Sequence, residues 1–236
     1  MIFYSPLTVR TNLTEVSKDN KQLNGQIKVN EKIIEKDKLK DENMDDEEDD
    51  ENKQEFEREN KKQSINLVFL GPSGSGKSTT CGHILDLKKM VDQRLMEKNR
   101  RESIAKGGED WKYSFVLDEL EQERQFGSTW ECGHASFYTQ TKLWNIIDAP
   151  GLRHFINHTI AGISQAEVAI LIVSAKRGEF ETSFQRDGQT REQVIIARTM
   201  GIQTLIVAVN KMDDVGWNQE RFNEVKSKME PFLRSI

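Results

Sequence analysis

A chain of 236 residues with 31% charged and 36% hydrophobic positions is long enough for one domain with a single core and a separate solvated segment. No apolar run reaches the roughly 18 residues a membrane span needs, and Met1-Ile2-Phe3-Tyr4 has neither the length nor the charged start of a signal peptide, so a cytosolic (cytoplasmic) protein without a membrane anchor is expected. The two cysteines, Cys81 and Cys132, have no metal-ligand spacing, which excludes a zinc or disulfide framework.

Charge divides the chain. Residues 1–63 hold 12 Lys+Arg against 17 Asp+Glu, while the remaining 173 balance at 22 against 22. The net charge of −5 thus belongs to the N-terminal arm. Asp41 to Glu51 carries nine acids in eleven positions, which repel one another and cannot bury a core. Disorder is expected through about residue 60, making 1–63 a disordered acidic arm, either a solubilising spacer or a docking site for a basic partner.

From residue 64 the pattern changes. Ile65-Asn66-Leu67-Val68-Phe69-Leu70 reads as a short strand and Thr79-Thr80-Cys81-Gly82-His83-Ile84-Leu85 as a helix. Between them, Gly71-Pro72-Ser73-Gly74-Ser75-Gly76-Lys77-Ser78 fills the pattern G-x-x-x-x-G-K-[ST]. Its glycines let backbone N–H groups converge on phosphate oxygens at a helix N-terminus. Lys77 is placed to hold the outer phosphates, and the Ser78 hydroxyl to bind Mg²⁺. The charge-rich stretch from Met90 to Glu123 reads as helical with a solvated face. Trp111, Trp130 and Trp144 read as packing residues, since nothing basic surrounds them to make a nucleic-acid platform.

Leu143-Trp144-Asn145-Ile146-Ile147-Asp148-Ala149-Pro150-Gly151 is an apolar strand ending in Asp-x-x-Gly. Asp148 belongs near the magnesium, and the Gly151 amide can meet a terminal phosphate with no side chain in the way. Val168 to Val173 is a further strand. Leu205-Ile206-Val207-Ala208-Val209 is another, and it runs into Asn210-Lys211-Met212-Asp213, with Asn210 placed 133 residues after Lys77. A carboxylate at a buried strand end, as Asp213 is, can accept from the N1–H and exocyclic amine of guanine, a donor pair adenine lacks. Phe222, Val225, Met229, Phe232 and Leu233 recur at helical spacing and give one apolar face for packing on the sheet. Three motifs at the C-terminal ends of apolar runs can meet in one crevice of an open α/β sheet.

These residues resemble the GTP-binding domain of the translational GTPases, in the branch of elongation factor 1-alpha, the eukaryotic release-factor GTPase and the ribosome-rescue GTPase. The likeness spans about residues 64 to 236. It rests on Gly76-Lys77-Ser78-Thr79-Thr80, Ile147-Asp148-Ala149-Pro150-Gly151, Ser164-Gln165-Ala166, Arg177 to Glu181, Gly188-Gln189-Thr190-Arg191-Glu192 and Val209 to Asp213. It implies a P-loop NTPase fold, a doubly wound, mostly parallel α/β sheet. It also implies GTP and GDP as ligands with Mg²⁺ as cofactor, and possible partners in the ribosome and a release or rescue factor. By the same resemblance Thr129, in Phe126-Gly127-Ser128-Thr129, is the first-switch threonine that ligates Mg²⁺ and touches the terminal phosphate, and the Met90–Glu123 stretch is the first-switch insertion. The arm favours the release and rescue factors over elongation factor 1-alpha.

The departures are as specific. Relatives commonly place a histidine after Asp-Ala-Pro-Gly to orient the attacking water, and here that position is Leu152, which can neither donate nor accept. His154 lies two residues on. The phosphate loop has Pro72-Ser73-Gly74 where relatives usually have His-Val-Asp, and taken alone it resembles a transporter ATPase loop. Against an ATPase stand the absent Leu-Ser-Gly-Gly-Gln signature, the absent apolar strand ending in Asp-Glu, and the intact guanine motif. Ser174-Ala175-Lys176 cannot cap the base, because it precedes Asn210. The resemblance places the capping segment, the last strand and helix, and the β-barrel domains beyond Ile236, so a C-terminally truncated domain is expected, with the Leu205–Val209 strand an exposed, aggregation-prone edge. The expected function is a GTPase of low intrinsic activity, the alternative a non-catalytic nucleotide-binding switch or remnant.

Overall fold

The computed structural model describes residues 2–6, 63–106, 108 and 111–236. Among these residues six strands form one sheet: β1 (Ile2–Pro6), β2 (Gln63–Leu70), β3 (Gly133–Tyr138), β4 (Lys142–Asp148), β5 (Val168–Ser174) and β6 (Thr204–Asn210), in the order β1-β6-β5-β2-β4-β3. The four inner strands run parallel, and β1 and β3 close the two edges antiparallel. The helices are α1 (Lys77–Leu87), α2 (Gln93–Ala105), α3 (Trp111–Ser114), α4 (Glu121–Phe126), α5 (Ile156–Ile163), α6 (Glu179–Phe184), α7 (Gln189–Thr199) and α8 (Gln219–Ser235). This is the mostly parallel, doubly wound α/β architecture expected from the sequence.

The central strand shows why both faces must be covered. Val68, Phe69 and Leu70 are all buried, and their side chains alternate between two clusters. Val68 and Leu70 pack with Leu171, Val173, Phe180, Val194, Val207, Val225, Met229 and Leu233. Phe69 packs with Cys81, Leu85, Leu117, Phe137, Ile146 and Ile172. A strand buried on both faces reads as a continuous apolar run, as this one does. The helical spacing noted above puts Phe222, Val225, Met229 and Leu233 of α8 into the first cluster, with Phe232 packed partly against it.

Two features depart from the sequence expectation. Residues 2–6, assigned there to a disordered arm, form β1 and pair with β6 from Ile2 opposite Ala208 to Pro6 opposite Thr204. The β6 edge is therefore not exposed. Unpaired strand N–H and C=O groups are satisfied by any extended segment that reaches them, and an edge partner distant in sequence leaves no local signal. Of the rest of the expected acidic arm, Met1 and 7–62 lie outside the described residues, and Gln63 begins β2. The second feature is β3, which no apolar run announces because of its six residues only Phe137 is buried.

Order in the sheet sets the site. From β2 the chain runs to the edge strand β3, returns inward to β4, and then crosses to β5 and β6 on the other side, so the strand order reverses beside the end of β2. A crevice opens at that reversal, outside the C-terminal ends of the strands. The ends of β2, β4 and β6 lead directly into Gly71, Ala149 and Lys211.

Candidate nucleotide site

A cleft of about 510 Å³ lies at this reversal, lined among others by Ser73, Gly74, Gly76, Lys77, Ser78 and Thr79 from the phosphate loop, Thr129, Gly151, and Asn210, Lys211 and Asp213. Motifs spread over 143 positions from Gly71 to Asp213 thus share one wall. The loop closes on itself through Ser75 N–H to the Pro72 carbonyl at 3.2 Å. Its end is fastened to the third motif, where Asn210 Nδ2 donates to the Ser75 carbonyl at 2.9 Å. Gly76 stands at the N-terminus of α1 with φ of 94°. A Cβ there would run into Asn210 Nδ2, so backbone sign and close approach both demand glycine. Gly71 N–H donates to Gln193 Oε1 at 2.6 Å, and Gln193 Nε2 donates to the Pro150 carbonyl at 3.4 Å. This buried amide ties the first motif to the second.

Gly151 is seated hard against the loop. A Cβ on it would lie 2.5 Å from Ser73 N and 2.6 Å from Lys77 Nζ, so any larger residue would displace the loop or the lysine. Lys77 is 6% exposed and donates to the Pro72 carbonyl at 3.1 Å. Burial lowers its pKa, and the nearby Asp148 opposes that shift.

Below the lysine sits a knot of oxygens. Ser78 Oγ and Thr129 Oγ1 are 2.8 Å apart, and Thr129 Oγ1 donates to Asp118 Oδ1 at 2.9 Å. Asp148 is fully buried, and neither of its carboxylate oxygens has a hydrogen-bond partner of ordinary geometry. Burial raises its pKa to about 6, with Lys77 and the Ser78 hydroxyl pulling the other way. Burial, with the Asp148 charge next in size, raises Asp118 to about 7. A buried carboxylate without partners is costly. Two carboxylates and two hydroxyls make an all-oxygen set, the donor chemistry a hard divalent cation such as Mg²⁺ takes. Ser78, Thr129 and Asp148 are therefore brought together as the sequence suggested. Asp118 was not singled out there.

The far end of the cleft is built on strain and pairing. Lys211 has φ of 56°, a left-handed conformation uncommon outside glycine, and its Nζ donates to Glu179 Oε2 at 2.8 Å. Ala175 N–H donates to the Asn210 carbonyl at 2.8 Å, which docks the Ser174-Ala175-Lys176 segment under the motif rather than over the cleft. Asp213 opens a 3-10 turn to Val215 and is exposed. His83, Trp111, Tyr113 and Ser114 also line the cleft. They come from α1 and α3, in and beside the charge-rich stretch, and no motif marks them. Leu152 and His154 do not line it: Leu152 precedes a 3-10 turn, Arg153–Phe155, and His154 is exposed. A larger hollow of about 670 Å³ lies behind the loop, toward Gly178 to Gln189. It holds neither Lys77 nor Asp213, and its cations Arg153 and Lys211 are paired with Glu192 and Glu179. The smaller cleft is the one with the chemistry.

Among the described residues no helix is long and apolar enough to cross a membrane. The profile of the elongation factor Tu GTP binding domain matches residues 62–236. Similar proteins include the GTP-binding subunit of the eukaryotic peptide chain release factor from Schizosaccharomyces pombe, 46% identical over 177 residues, covering 74% of this chain and 27% of that protein. Elongation factor 1-alpha from Thermofilum pendens is 46% identical over 176 residues, covering 75% and 41%. Protein HBS1 from Drosophila melanogaster is 43% identical over 177 residues, covering 75% and 26%. The chain thus spans between a quarter and about two fifths of these relatives. Among solved structures, Sup35 complexed with GDP aligns with a TM-score of 0.51 at 36% identity over 74% of this chain and 33% of that one. The Saccharomyces cerevisiae Ski7 GTPase-like domain bound to GTP aligns at 0.67 with 20% identity, over 81% and 42%, a likeness of fold. The chain belongs to the elongation factor Tu GTP binding domain family, within the translational GTPase superfamily.

Proposed function

We propose that this chain is a guanine-nucleotide-binding domain of the translation-factor type that takes GTP and GDP with Mg²⁺ and hydrolyses GTP slowly. The observation that carries this reading is the junction of the phosphate loop and the guanine motif through Asn210 and the Ser75 carbonyl. It joins the loop that carries Lys77 to the motif that carries Asp213, and both residues line one cleft.

Each residue then has a chemical task. Loop N–H groups of Ser73, Gly74 and Gly76 to Thr79, which line the cleft at the start of α1, would receive phosphate oxygens. Lys77 neutralises the outer phosphates at a buried position, where a charge acts strongly. Ser78, Thr129 and Asp148 would hold Mg²⁺, with Asp118 fixing the Thr129 hydroxyl. When bound, that ion would offset the charge of the phosphates. The Gly151 amide reports a terminal phosphate. Asp213 accepts from guanine, and Lys211 lies beside it, its ammonium held by Glu179.

Slow hydrolysis follows from Leu152. Orienting the attacking water is much of what a protein adds to phosphoryl transfer, and leucine has no group for it. His154, exposed and outside the cleft lining, does not take over. A second reading, a nucleotide-binding switch or remnant without catalysis, is favoured by the same Leu152. Single-turnover GTP hydrolysis by Leu152→His separates the two. A rise of roughly 10²-fold or more, the scale of one positioned acid–base group, means the remaining machinery is sound. An unchanged rate means the chain is a switch. A cytoplasmic setting, with the ribosome and a release- or rescue-factor partner, is proposed from the names of the relatives, and an ATPase role is disfavoured by the Asn210–Asp213 motif.

A further inference from the structure

Glu123, in the six-residue helix α4, is a carboxylate only 3% exposed, and among the described residues no cation pairs with it. Its partners are three backbone amides: Leu120 N–H to Oε2 at 3.1 Å, Trp130 N–H to Oε1 at 2.8 Å, and Glu131 N–H to Oε1 at 3.1 Å. The first is an ordinary helix cap for α4. The other two are not, because they reach across the loop and grip the two peptides that follow Thr129. The Glu123 carbonyl also accepts from Ser128 N–H at 3.2 Å. One residue therefore holds the chain on both sides of Thr129.

The next side chain repeats the pattern on the other strand of the loop. Arg124 Nε donates to the Asp118 carbonyl at 2.7 Å, Nη2 to the Phe115 carbonyl at 2.9 Å, and Nη1 pairs with Glu102 at 2.8 Å. Glu123 fixes Thr129 and Arg124 fixes Asp118, and those two residues are bonded to each other at 2.9 Å. Trp130, the residue Glu123 grips most closely, carries the position onward. Its ring stacks on Phe155 with centroids 5.4 Å apart and planes 24° apart. Phe155 ends the 3-10 turn that starts two residues after Gly151.

We infer that Glu123 and Trp130 form a latch that holds Thr129 in the cleft and couples it to the segment after Gly151, so that the two phosphate-sensing segments close and open together. This rests on the nucleotide reading above. Both are positioning residues, since neither lines the cleft. A terminal phosphate meets Thr129 and Gly151 at once, whereas GDP lacks the group both would touch. The latch should therefore contribute to binding of the triphosphate and not of the diphosphate.

The test is equilibrium binding of GDP and of a non-hydrolysable GTP analogue, with Mg²⁺, to the full chain and to Glu123→Gln, Trp130→Ala and Trp130→Phe, each checked by thermal melting. Glu123→Gln keeps shape but can satisfy fewer of the three amides, and Trp130→Ala removes the stack. Each should weaken the analogue roughly tenfold, the effect of one lost charge-assisted hydrogen bond or aromatic pair, and leave GDP unchanged. Trp130→Phe should retain the affinity of the parent. Glu123→Gln combined with Trp130→Ala should be no weaker than the worse single variant, because they break one coupling. Equal losses for both nucleotides, or no loss for either, would overturn the latch. A parent chain that binds GDP and the analogue while the variants leave their ratio unmoved sinks the latch alone. A parent chain that binds neither takes the functional reading down with it.

Discussion

Two buried carboxylates, Asp148 and Asp118, carry the electrostatics of the site, and their effect on stability has a definite sign. Their ordinary value is 3.8, and in the folded chain they stand at about 6 and about 7, raised chiefly by burial. A carboxyl that titrates higher when folded stabilises the fold while protonated, and that contribution is lost as pH rises through the folded value. The nucleotide-free protein should therefore melt at a lower temperature at pH 8 than at pH 5. Asp148→Asn and Asp118→Asn should each flatten the dependence, and Mg²⁺ should restore the pH 8 value in the parent. Thermal melts across this range check the point, and an unchanged slope in both variants would count against it. At the other end of the cleft, Asp213→Ala should weaken GDP by about 10- to 100-fold, since bonds to a charged group contribute roughly 1.5–3 kcal/mol. Asp213 and Asp148 were legible in the sequence because each belongs to a motif at the end of an apolar run. Asp118, Glu123 and Gln193 were not. Gln193 acts on Gly71 from 122 residues away, and no local pattern records such a partnership.

At the scale of elements, the continuous apolar run of β2 and the helical spacing of α8 did most to fix the architecture, because both patterns are local. Met229 is fully buried in the larger cluster. Its truncation to alanine should cost about 2–5 kcal/mol, read as a shift in the urea unfolding midpoint. The edges of the sheet behave differently. In β3 only Phe137 is buried, too little apolar alternation to declare a strand. For β1 the partner lies about 200 positions away in sequence. Deleting residues 2–6 should uncover the β6 backbone from Thr204 to Ala208 and raise light scattering at fixed concentration. Scattering equal to that of the parent would show that β1 does not protect this edge.

For the molecule as a whole, the doubly wound sheet explains how motifs so far apart in sequence come to share one cleft. The inner strands run parallel, so β2, β4 and β6 deliver their ends to the same side. Reversal of order beside β2 leaves the opening between them. Loop, oxygen knot and guanine motif are then held in register by Asn210 and Gln193. The most direct test of this account is a titration of the purified chain with fluorescent GDP in Mg²⁺, followed by competition with unlabelled GTP and ATP. Displacement by GTP at concentrations where ATP has no effect is the predicted result. Equal displacement by both nucleotides, or no binding of the labelled GDP at all, would contradict it.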